Sequence, residues 1–520
     1  MRYLNASWAA LGAALLVAAC GGGDSGGPLG TQNAAPSRGA LMQSPPPRIT
    51  SMTAGDFNAL LNASSDGKSL ITLAGTPTCG VDVQYIQYGT VGGAGETTTA
   101  SGALMVPTGT AANCTGARPI VLYAHGTTVS KNYNLADFAD KTNPAYGEAA
   151  LLAALYAAQG YIVVAPNYAG YDSSTLAYHP YLNADQQSKD MMDALTAAKA
   201  ALPTLMSGAK ASSKLFLTGY SQGGHVAMAT HRALQTAGIP VTASAPMSGP
   251  YALAAQSDAT FYGNVNAGGT VFSPMIFTSF QKAYGNLYST PADIYDAKYA
   301  TGIETLIPGK LGFSELFTTG KLPQALFSLT PPAPAFAAIT PPTGTGATDA
   351  LFAAGFGTSF LINNSARAAY LMDAMARPDG AVPKFTNGMP VATSGASAST
   401  NPLRVAAAKN DLRGFMPVAP VLLCAGNGDP TVFYSVNTQL MAALWAPQVA
   451  GGLVTVLDVD SAAGTPGPTN PFFAVKAGFA QQKAAVAAAG GPVAVVSNYH
   501  GGLVPPFCNV AARGFFSNFL

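Results

Sequence analysis

The segment with the clearest chemical potential is 219–224, Gly-Tyr-Ser-Gln-Gly-Gly, which fits the pattern Gly-x-Ser-x-Gly. The apolar run Leu215–Thr218 predicts a strand before it, and His225–Ala237 predicts a helix after it. A serine on a sharp strand-to-helix turn presents its hydroxyl at the edge of a sheet, and glycines let the chain turn without a Cβ clash. Ser221 is therefore the predicted nucleophile.

A second match to the same pattern lies at 23–27, Gly-Asp-Ser-Gly-Gly, with the letters found around the nucleophile of trypsin-like proteases. It sits in a glycine-rich stretch without a neighbouring strand, and no histidine precedes Ser25, as the trypsin-like chain order would require. We attribute this match to linker composition. For Ser221 the alternative is a glycine-rich turn with an incidental serine, because so short a pattern is weak without its context.

A serine nucleophile needs a base and an acid. Of the five histidines, only His500 lies downstream of Ser221 beyond the helix that follows it. The segment 219–224 resembles the nucleophile turn of α/β-hydrolases, in which the acid lies between the serine and the histidine in chain order; the resemblance implies Asp429, after a late predicted strand, as the acid. Asp458 and Asp460, after the next strand, are the alternatives, and a plain turn residue is the alternative role for Asp429.

The tetrahedral intermediate of acyl transfer needs hydrogen-bond donors for its oxyanion. The backbone N–H of Gln222 is one predicted donor. The second should come from the loop His125–Thr128, which follows an earlier predicted strand; Thr127 is favoured and Gly126 is next. The alternative is that this loop is only a turn that ends a strand.

Strands and helices alternate from 118 to 248 and again after 420, which predicts a mostly parallel sheet with crossover helices. The elements predicted after 420 are a strand Pro420–Ala425, a helix Val432–Trp445, a strand Leu453–Leu457, a helix near 471–489 and a strand Val493–Val496. Between them, over 251–413, the alternation stops. We interpret 51–250 and 414–520 as the core and 251–413 as a largely helical cap insertion.

The predicted cap carries many large apolar residues, which indicate either an apolar acyl site or the cap's own core. We expect the core to account for most of them. The residues are Phe313, Leu316, Phe317, Leu326, Phe327, Phe336, Phe352, Phe356 and Phe360.

The first twenty residues predict a signal peptide, because the apolar run from Trp8 to Ala19 is too short to span a bilayer. Val-Ala-Ala-Cys at 17–20 is typical of a bacterial lipobox, so Cys20 is the predicted site of lipidation; an ordinary signal peptide is the alternative. Residues 21–50 are predicted to form a flexible linker. Gly21 after Cys20 favours the outer membrane or cell surface, with secretion as the other extracytoplasmic outcome.

Four cysteines remain after Cys20, and an oxidising compartment would pair them as two disulfides. Proximity in sequence favours Cys79 with Cys114 and Cys424 with Cys508, although three pairings are possible and buried free thiols are the alternative. Their spacing suggests no metal site.

The charge composition limits the partners. The 520 residues include 25 Lys+Arg and 24 Asp+Glu, so no basic excess is available to neutralise nucleic-acid phosphates. Hydrophobic residues make up 48% and charged residues 9%, which excludes a disordered chain. We expect no nucleic-acid partner, and membrane contact only through the N-terminal lipid anchor.

These residues together resemble the α/β-hydrolase superfamily, and within it the secreted bacterial and fungal lipases and esterases that carry Gly-Tyr-Ser-Gln-Gly-Gly. The segments 166–171, Pro-Asn-Tyr-Ala-Gly-Tyr, and 178–182, Tyr-His-Pro-Tyr-Leu, are similar to the secretory lipase group. Asn167 departs from the aspartate common there, at a position outside the triad. The resemblance covers 80–250 and 415–515, and it implies an α/β-hydrolase fold, a Ser/Asp/His triad, no cofactor and a cap that shapes an acyl pocket.

The predicted function is hydrolysis of a carboxylic ester, carried by a small molecule or a lipid, through an acyl-enzyme intermediate. Three alternatives remain open from the sequence: a serine peptidase of the same fold, an acyltransferase that excludes water, and a surface lipoprotein that binds ligands without catalysis.

Overall fold

A computed structural model describes residues 36–342, 349–379, 384–386, 389–391, 398–446 and 449–520. The predicted signal peptide, Cys20 and the first part of the predicted linker lie outside these residues. Within the described ranges, no helix combines the length and the hydropathy needed to cross a bilayer.

The strands, in chain order, are β1 (Arg48–Met52), β2 (Gly80–Val91), β3 (Thr97–Thr108), β4 (Gly116–Ala124), β5 (Ile162–Pro166), β6 (Ala209–Tyr220), β7 (Ala243–Met247), β8 (Phe327–Ser328), β9 (Phe356–Gly357), β10 (Lys384–Thr386), β11 (Met389–Val391), β12 (Val421–Ala425) and β13 (Val454–Asp458). The α-helices are α1 (Ala54–Asn62), α2 (Ser65–Ala74), α3 (Tyr146–Leu155), α4 (Ala184–Ala201), α5 (Gln222–Thr236), α6 (Leu253–Phe261), α7 (Gly269–Tyr284), α8 (Ala297–Ala300), α9 (Phe313–Thr318), α10 (Asp349–Ala353), α11 (Asn364–Ala376), α12 (Pro402–Lys409), α13 (Thr438–Trp445), α14 (Phe473–Asn498) and α15 (Val504–Ser517). Short 3-10 turns lie at Ala157–Gln159, Leu202–Thr204, Pro291–Asp293, Ile303–Thr305 and Pro334–Phe336, and a π-helical turn lies at Tyr499–Leu503.

Nine strands form one sheet in the order β1-β2-β3-β5-β4-β6-β7-β12-β13. The strands from β5 to β13 in that order pair in parallel, and β1, β2 and β3 join them antiparallel. Both faces of the parallel part are covered by helices, which explains why β5 reads as an unbroken apolar run and why both β5 and β7 are buried throughout. The mostly parallel sheet confirms the predicted fold class.

Crossover helices pack on this sheet because their apolar faces need cover. Asn183 caps the N-terminus of α4, where its side chain accepts a hydrogen bond from the N–H of Gln186. It packs beside α5, which follows the predicted nucleophile. On the other side, α15 stacks Phe516 on Phe216 of β6 with ring centroids 4.6 Å apart. The central strands are therefore held from both faces.

After residue 420, one predicted strand is wrong and one predicted helix begins too early. The predicted strand Val493–Val496 belongs to α14, which continues to Asn498 across a break at Gly491, where φ is +68°. A short run rich in valine favours a strand locally, but the sheet ends at β13 and offers this segment no partner. The predicted helix from Val432 starts only at Thr438, so the residues after Asp429 form a loop.

The predicted linker over 21–50 extends too far. From Pro36 on, the described chain packs along the edge of the sheet instead of leaving it. The N–H of Gly39 donates to the carbonyl of Gly89 (2.8 Å), the N–H of Met42 donates to that of Gln87 (2.8 Å), and Arg38 pairs with Asp193 (3.0 Å). Proline, serine and glycine make this stretch look like a linker, but its backbone groups find partners on β2.

The chain between β7 and β12 leaves the sheet and forms the helices α6 to α12, with two short strand pairs, β8–β9 and β10–β11. Most of its buried apolar residues form a cluster that is separate from the core under the sheet. Of the large apolar residues predicted there, Leu316, Leu326, Phe327, Phe336 and Phe356 lie in that cluster, and Phe352 packs against Phe433 (5.7 Å between centroids). Phe313 alone among the nine borders the cavity described below.

Candidate active site

Ser221 occupies a strained turn between β6 and α5. Its φ is +61° and its ψ is −124°, a backbone conformation that costs a non-glycine residue about 1–3 kcal/mol. The turn is possible because neighbouring positions lack a side chain. A Cβ on Gly223 would come within 1.9 Å of the carbonyl oxygen of Ala124, and one on Gly219 within 2.5 Å of the same oxygen. This turn places the Ser221 hydroxyl at the carboxyl end of the parallel strands.

The structure brings Ser221, His500 and Asp429 into one hydrogen-bonded row. The Nε2 atom of His500 lies 2.7 Å from the Ser221 Oγ, and its Nδ1 lies 2.6 Å from the Asp429 Oδ2. Because the carboxylate only accepts, Nδ1 carries the proton and Nε2 is free to accept from the serine hydroxyl. The other carboxylate oxygen accepts the N–H groups of Thr431 (2.9 Å) and Val432 (3.0 Å), which fixes its orientation.

His500 stands in the π-helical turn between α14 and α15, and the segment Val493–Val496 before it, predicted as a strand, is part of α14. The phenol of Tyr220, the residue before Ser221, donates to the His500 carbonyl (2.7 Å). A disulfide joins Cys424, at the end of β12, to Cys508 in α15, and a second joins Cys79 to Cys114. These are the two pairs that sequence proximity favours, and the first ties together the segments that carry Asp429 and His500.

The rival acids have other partners. Asp458 accepts the backbone N–H and the side-chain amide of Asn427 (3.1 and 2.7 Å). Asp460 accepts from Lys483 (2.6 Å) and from the phenol of Tyr499 (2.6 Å), next to the histidine in the chain. Neither contacts the His500 ring.

Both predicted oxyanion segments lie beside Ser221. Gln222 is the first residue of α5, so its N–H belongs to a helix N-terminus, where negative charge is favoured. The loop with Gly126 and Thr127 follows β4, which pairs with β6 so that Ala124 faces Gly219. A Cβ on Gly126 would lie 3.8 Å from the Cβ of Ser221, and the Thr127 hydroxyl lies 2.6 Å from the phenol of Tyr181.

Two cavities meet at Ser221. The larger has a volume of about 1380 Å³ and is bordered by His500, Gly126 and Thr127, by α1 and α2, and by the end of α14. The smaller has a volume of about 70 Å³ and is bordered by Gln222 and by side chains of α6 and α7. Sequence reasoning missed these α6 and α7 residues, although their position directly after β7, at the carboxyl edge of the sheet, was a usable signal.

The other four histidines are buried in the sheet region, by which we mean the described residues outside 251–413. Each has a ring nitrogen in contact with a polar group, and none contacts the Ser221 hydroxyl. Burial lowers the pKa of His179 to about 3 and the pKa values of His225 and His231 to about 4 each; it also lowers that of His125. These four imidazoles are neutral at pH 7. Within the described ranges, no group of three or more His, Cys, Asp or Glu side chains could hold a metal ion.

Comparison with known proteins agrees with this geometry. Residues 149–247 match the model of the prolyl oligopeptidase family. A ligand-bound crystal structure of the rice cell wall degrading esterase LipA from Xanthomonas oryzae is similar at 26% identity and a TM-score of 0.62, over 81% of this chain and 91% of that one. Another crystal structure of LipA gives 25% identity and a TM-score of 0.62, over 89% and 98% of the two chains. No curated protein sequence matches significantly.

The chain therefore has the α/β-hydrolase fold, and fold, site and comparisons together support a serine hydrolase. The structural relatives are consistent with the esterase and lipase group of that superfamily. The two disulfides indicate an extracytoplasmic protein, because such bonds persist in oxidising compartments.

Proposed function

We propose that this protein hydrolyses carboxylic esters, with Ser221 as nucleophile, His500 as general base and acid, and Asp429 as the group that orients the histidine. One observation carries the proposal: the row of hydrogen bonds from Ser221 Oγ through His500 to Asp429 opens onto two cavities. The insertion over 251–413 is the proposed cap, since it supplies walls of both cavities.

In the acylation step, the Ser221 Oγ forms a bond to the ester carbonyl carbon while its proton passes to His500 Nε2. The carbonyl π electrons move to oxygen, and the N–H groups of Gln222 and of Thr127 or Gly126 stabilise that oxyanion. Loss of one such donor typically raises the barrier by about 3–4 kcal/mol. When the intermediate collapses, the bond to the alcohol oxygen breaks and that oxygen takes the proton from His500.

In the deacylation step, a water molecule gives its proton to His500 and attacks the acyl carbon on Ser221. The second intermediate collapses, the serine oxygen recovers its proton, and the acid leaves. The carboxylate of Asp429 stays ionised and stabilises the imidazolium in both steps.

A peptidase is the second candidate, because residues 149–247 match a peptidase family. The matched segment contains α4, β6, Ser221 and α5, the parts that all serine hydrolases of this fold share. It stops short of the insertion, which would have to recognise a peptide. The match therefore supports the serine chemistry more than it supports peptide bonds as substrates.

The test is hydrolysis of p-nitrophenyl esters by the full chain, beside Ser221→Ala and Ser25→Ala. Ser25 belongs to the other Gly-x-Ser-x-Gly match, so it is a matched control. We expect Ser221→Ala to abolish turnover and Ser25→Ala to retain it. Turnover of aminoacyl anilides but of no ester would favour the peptidase. A folded protein that turns over neither would favour a ligand-binding lipoprotein, and ester turnover that needs an added alcohol would favour an acyltransferase.

Lipidation of Cys20 is part of the same proposal, and it would confine membrane contact to the N-terminus. The mass of the N-terminal peptide from the processed protein tests it. We expect a mass increase that corresponds to acyl chains on Cys20, and a Cys20→Ser variant that no longer fractionates with membranes.

A further inference from the structure

The two cavities at Ser221 differ in which catalytic groups they border. His500 borders the large cavity, together with Gly126 and Thr127. The small cavity is bordered by Ser221 and Gln222 but not by His500. Phe272 of the insertion and Thr431 border both cavities. The nucleophile therefore faces both spaces, whereas the proton donor faces one.

This asymmetry assigns the two halves of an ester. The leaving oxygen must take its proton from His500 Nε2, so the alcohol part has to lie in the space that His500 borders. The acyl part stays bonded to Ser221 and occupies the space on the other side. We infer that the small cavity holds the acyl group and the large cavity holds the alcohol; the inference rests on the proposed esterase function.

The sizes then define a substrate class. An apolar cavity of about 150 Å³ admits a benzene molecule, so a cavity of about 70 Å³ has room for about three or four carbon atoms. Its walls include Leu253, Ile276 and Phe277, which suit an alkyl group. The alcohol space, of about 1380 Å³, is some twentyfold larger. The substrate class is esters of short aliphatic acids, of about two to four carbons, with bulky alcohols.

The test varies the acyl chain at a fixed alcohol, using p-nitrophenyl esters from acetate to palmitate. We expect kcat/KM to be highest at two to four carbons and to fall at least tenfold by eight carbons. Ile276→Ala enlarges only the small cavity and should move the optimum toward longer chains. Leu73→Ala, a matched control that borders only the large cavity, should keep the acyl optimum of the unmodified protein.

An optimum at eight carbons or more would overturn the assignment, and so would an Ile276→Ala variant whose optimum stays at two to four carbons. Neither result touches the ester chemistry, which stands or falls with loss of turnover in Ser221→Ala. The two failures are therefore distinguishable.

A second inference rests on a different observation, the packing of the segment Tyr168–Tyr181 against both predicted oxyanion donors. His179 is 3% exposed, and its Nε2 lies 2.6 Å from the side-chain amide nitrogen of Gln222. The His179 Nδ1 lies 2.9 Å from the carbonyl oxygen of Ala169, so Nδ1 donates there and Nε2 accepts from Gln222.

The same segment holds the other donor loop. The phenol of Tyr171 donates to the carbonyl of Thr128 (2.7 Å), and that of Tyr181 lies 2.6 Å from the Thr127 hydroxyl. The phenol of Tyr168 donates to the carbonyl of His125 (3.1 Å). We propose that His179 is a positioning residue, which fixes Gln222 while its tyrosine neighbours fix the loop opposite.

His179→Phe tests this role, because phenylalanine keeps the ring and loses the acceptor. A misplaced transition-state contact of about 1 Å can cost about 100-fold, so we expect kcat per titrated active site to fall about 10- to 100-fold with KM little changed. Gln222→Leu should give a similar loss, and the double variant should lose no more than either single variant.

The matched control is His231→Phe. His231 is also a buried histidine, but it lies on α5 and contacts Ser244 rather than Gln222. It should lower the thermal midpoint and leave kcat per active site unchanged. A His179→Phe variant with full kcat, or losses that multiply in the double variant, would overturn the positioning role.

Discussion

The sheet region and the insertion differ in the basic side chains that they bury. The sheet region encloses four neutral histidines, and the insertion over 251–413 has no histidine at all. The insertion instead buries arginines: Arg404 pairs with Asp258 and Asp373 (2.9 Å each), and Arg367 donates to the carbonyls of Phe261 and Ile339 (3.1 Å each).

The two regions also differ in what they contribute to the site: one carries the reacting groups, and the other lines the small cavity. Ser221, Asp429 and His500 stand on elements of the sheet region, where parallel strands end at one edge. The insertion supplies most of the walls of the small cavity through residues of α6 and α7, among them Leu253 and Ile276. Changes to the site residues of the first region should therefore act on kcat, and changes in the second region on stability and on acyl preference.

The largest effect is expected for Asp429→Asn in the sheet region. The amide would favour the wrong tautomer of His500, and the loss in kcat should be about 10⁴-fold without loss of fold. The measurement is kcat per titrated active site, with circular dichroism to check folding. Asp458→Asn is the control, since Asp458 contacts Asn427 rather than the histidine; a comparable loss there would contradict the assignment of the acid.

The next effect is expected in the insertion. Arg404→Met removes the buried cation that pairs with both Asp258 and Asp373, and should lower the free energy of unfolding by about 3–5 kcal/mol. Denaturant unfolding measures it. Arg377→Met is the matched control, because Arg377 is half-exposed and meets Asp373 as an i,i+4 pair worth about 0.3–0.5 kcal/mol. Equal losses in the two variants would remove the distinction between buried and exposed pairs.

The disulfides sharpen the comparison within the sheet region. Replacing Cys424 and Cys508 by serine should cost about 2–4 kcal/mol of stability and should also lower kcat, since the bond ties the segments of Asp429 and His500. Replacing Cys79 and Cys114 by serine should cost stability without a change in kcat. Their bond spans 35 residues, against 84 for the other, so the chain-entropy account also predicts a smaller cost. Equal effects on kcat would show that neither bond orients the site.

The same contrast explains what could be predicted from the sequence. The buried strands β4 and β5 contain continuous apolar runs, and Ser221 has a strand before it and a helix after it; these are local signals. Chain order then led to Asp429 and His500, and the structure brings both to the serine. The parallel sheet places Ser221 and Asp429 at one edge because both follow strand ends, whereas His500 reaches them from the turn between α14 and α15.

Predictions that depended on distant partners did worse. The valine run at 493–496 favoured a strand, but the sheet had no place for it. Residues 36–50 looked like a linker because their partners on β2 lie about fifty residues away. The pairing of Arg404 with Asp258 spans 146 residues, and nothing in the local pattern indicates it.

The smallest effect concerns the buried histidines that distinguish the sheet region. Burial lowers the pKa of His231 to about 4, whereas an unfolded histidine titrates near 6.5. Below pH 6.5 the unfolded chain binds a proton that the folded chain refuses, so stability is greatest above pH 6.5 and falls as the pH drops toward 4. Asp190 opposes this trend, because burial raises its pKa to about 7 and the folded chain then binds the extra proton.

A single variant separates the contribution of His231 from the opposing contribution of Asp190. Each histidine contributes a slope of at most about 1.4 kcal/mol per pH unit, so His231→Phe should flatten the dependence of the unfolding free energy by about 1 kcal/mol between pH 6 and pH 5. Denaturant unfolding at several pH values, beside the unmodified protein, measures the difference. Parallel curves for the two proteins would mean that His231 is protonated in the folded state. The contrast between buried neutral histidines in the sheet region and buried arginines in the insertion would then fail at this residue.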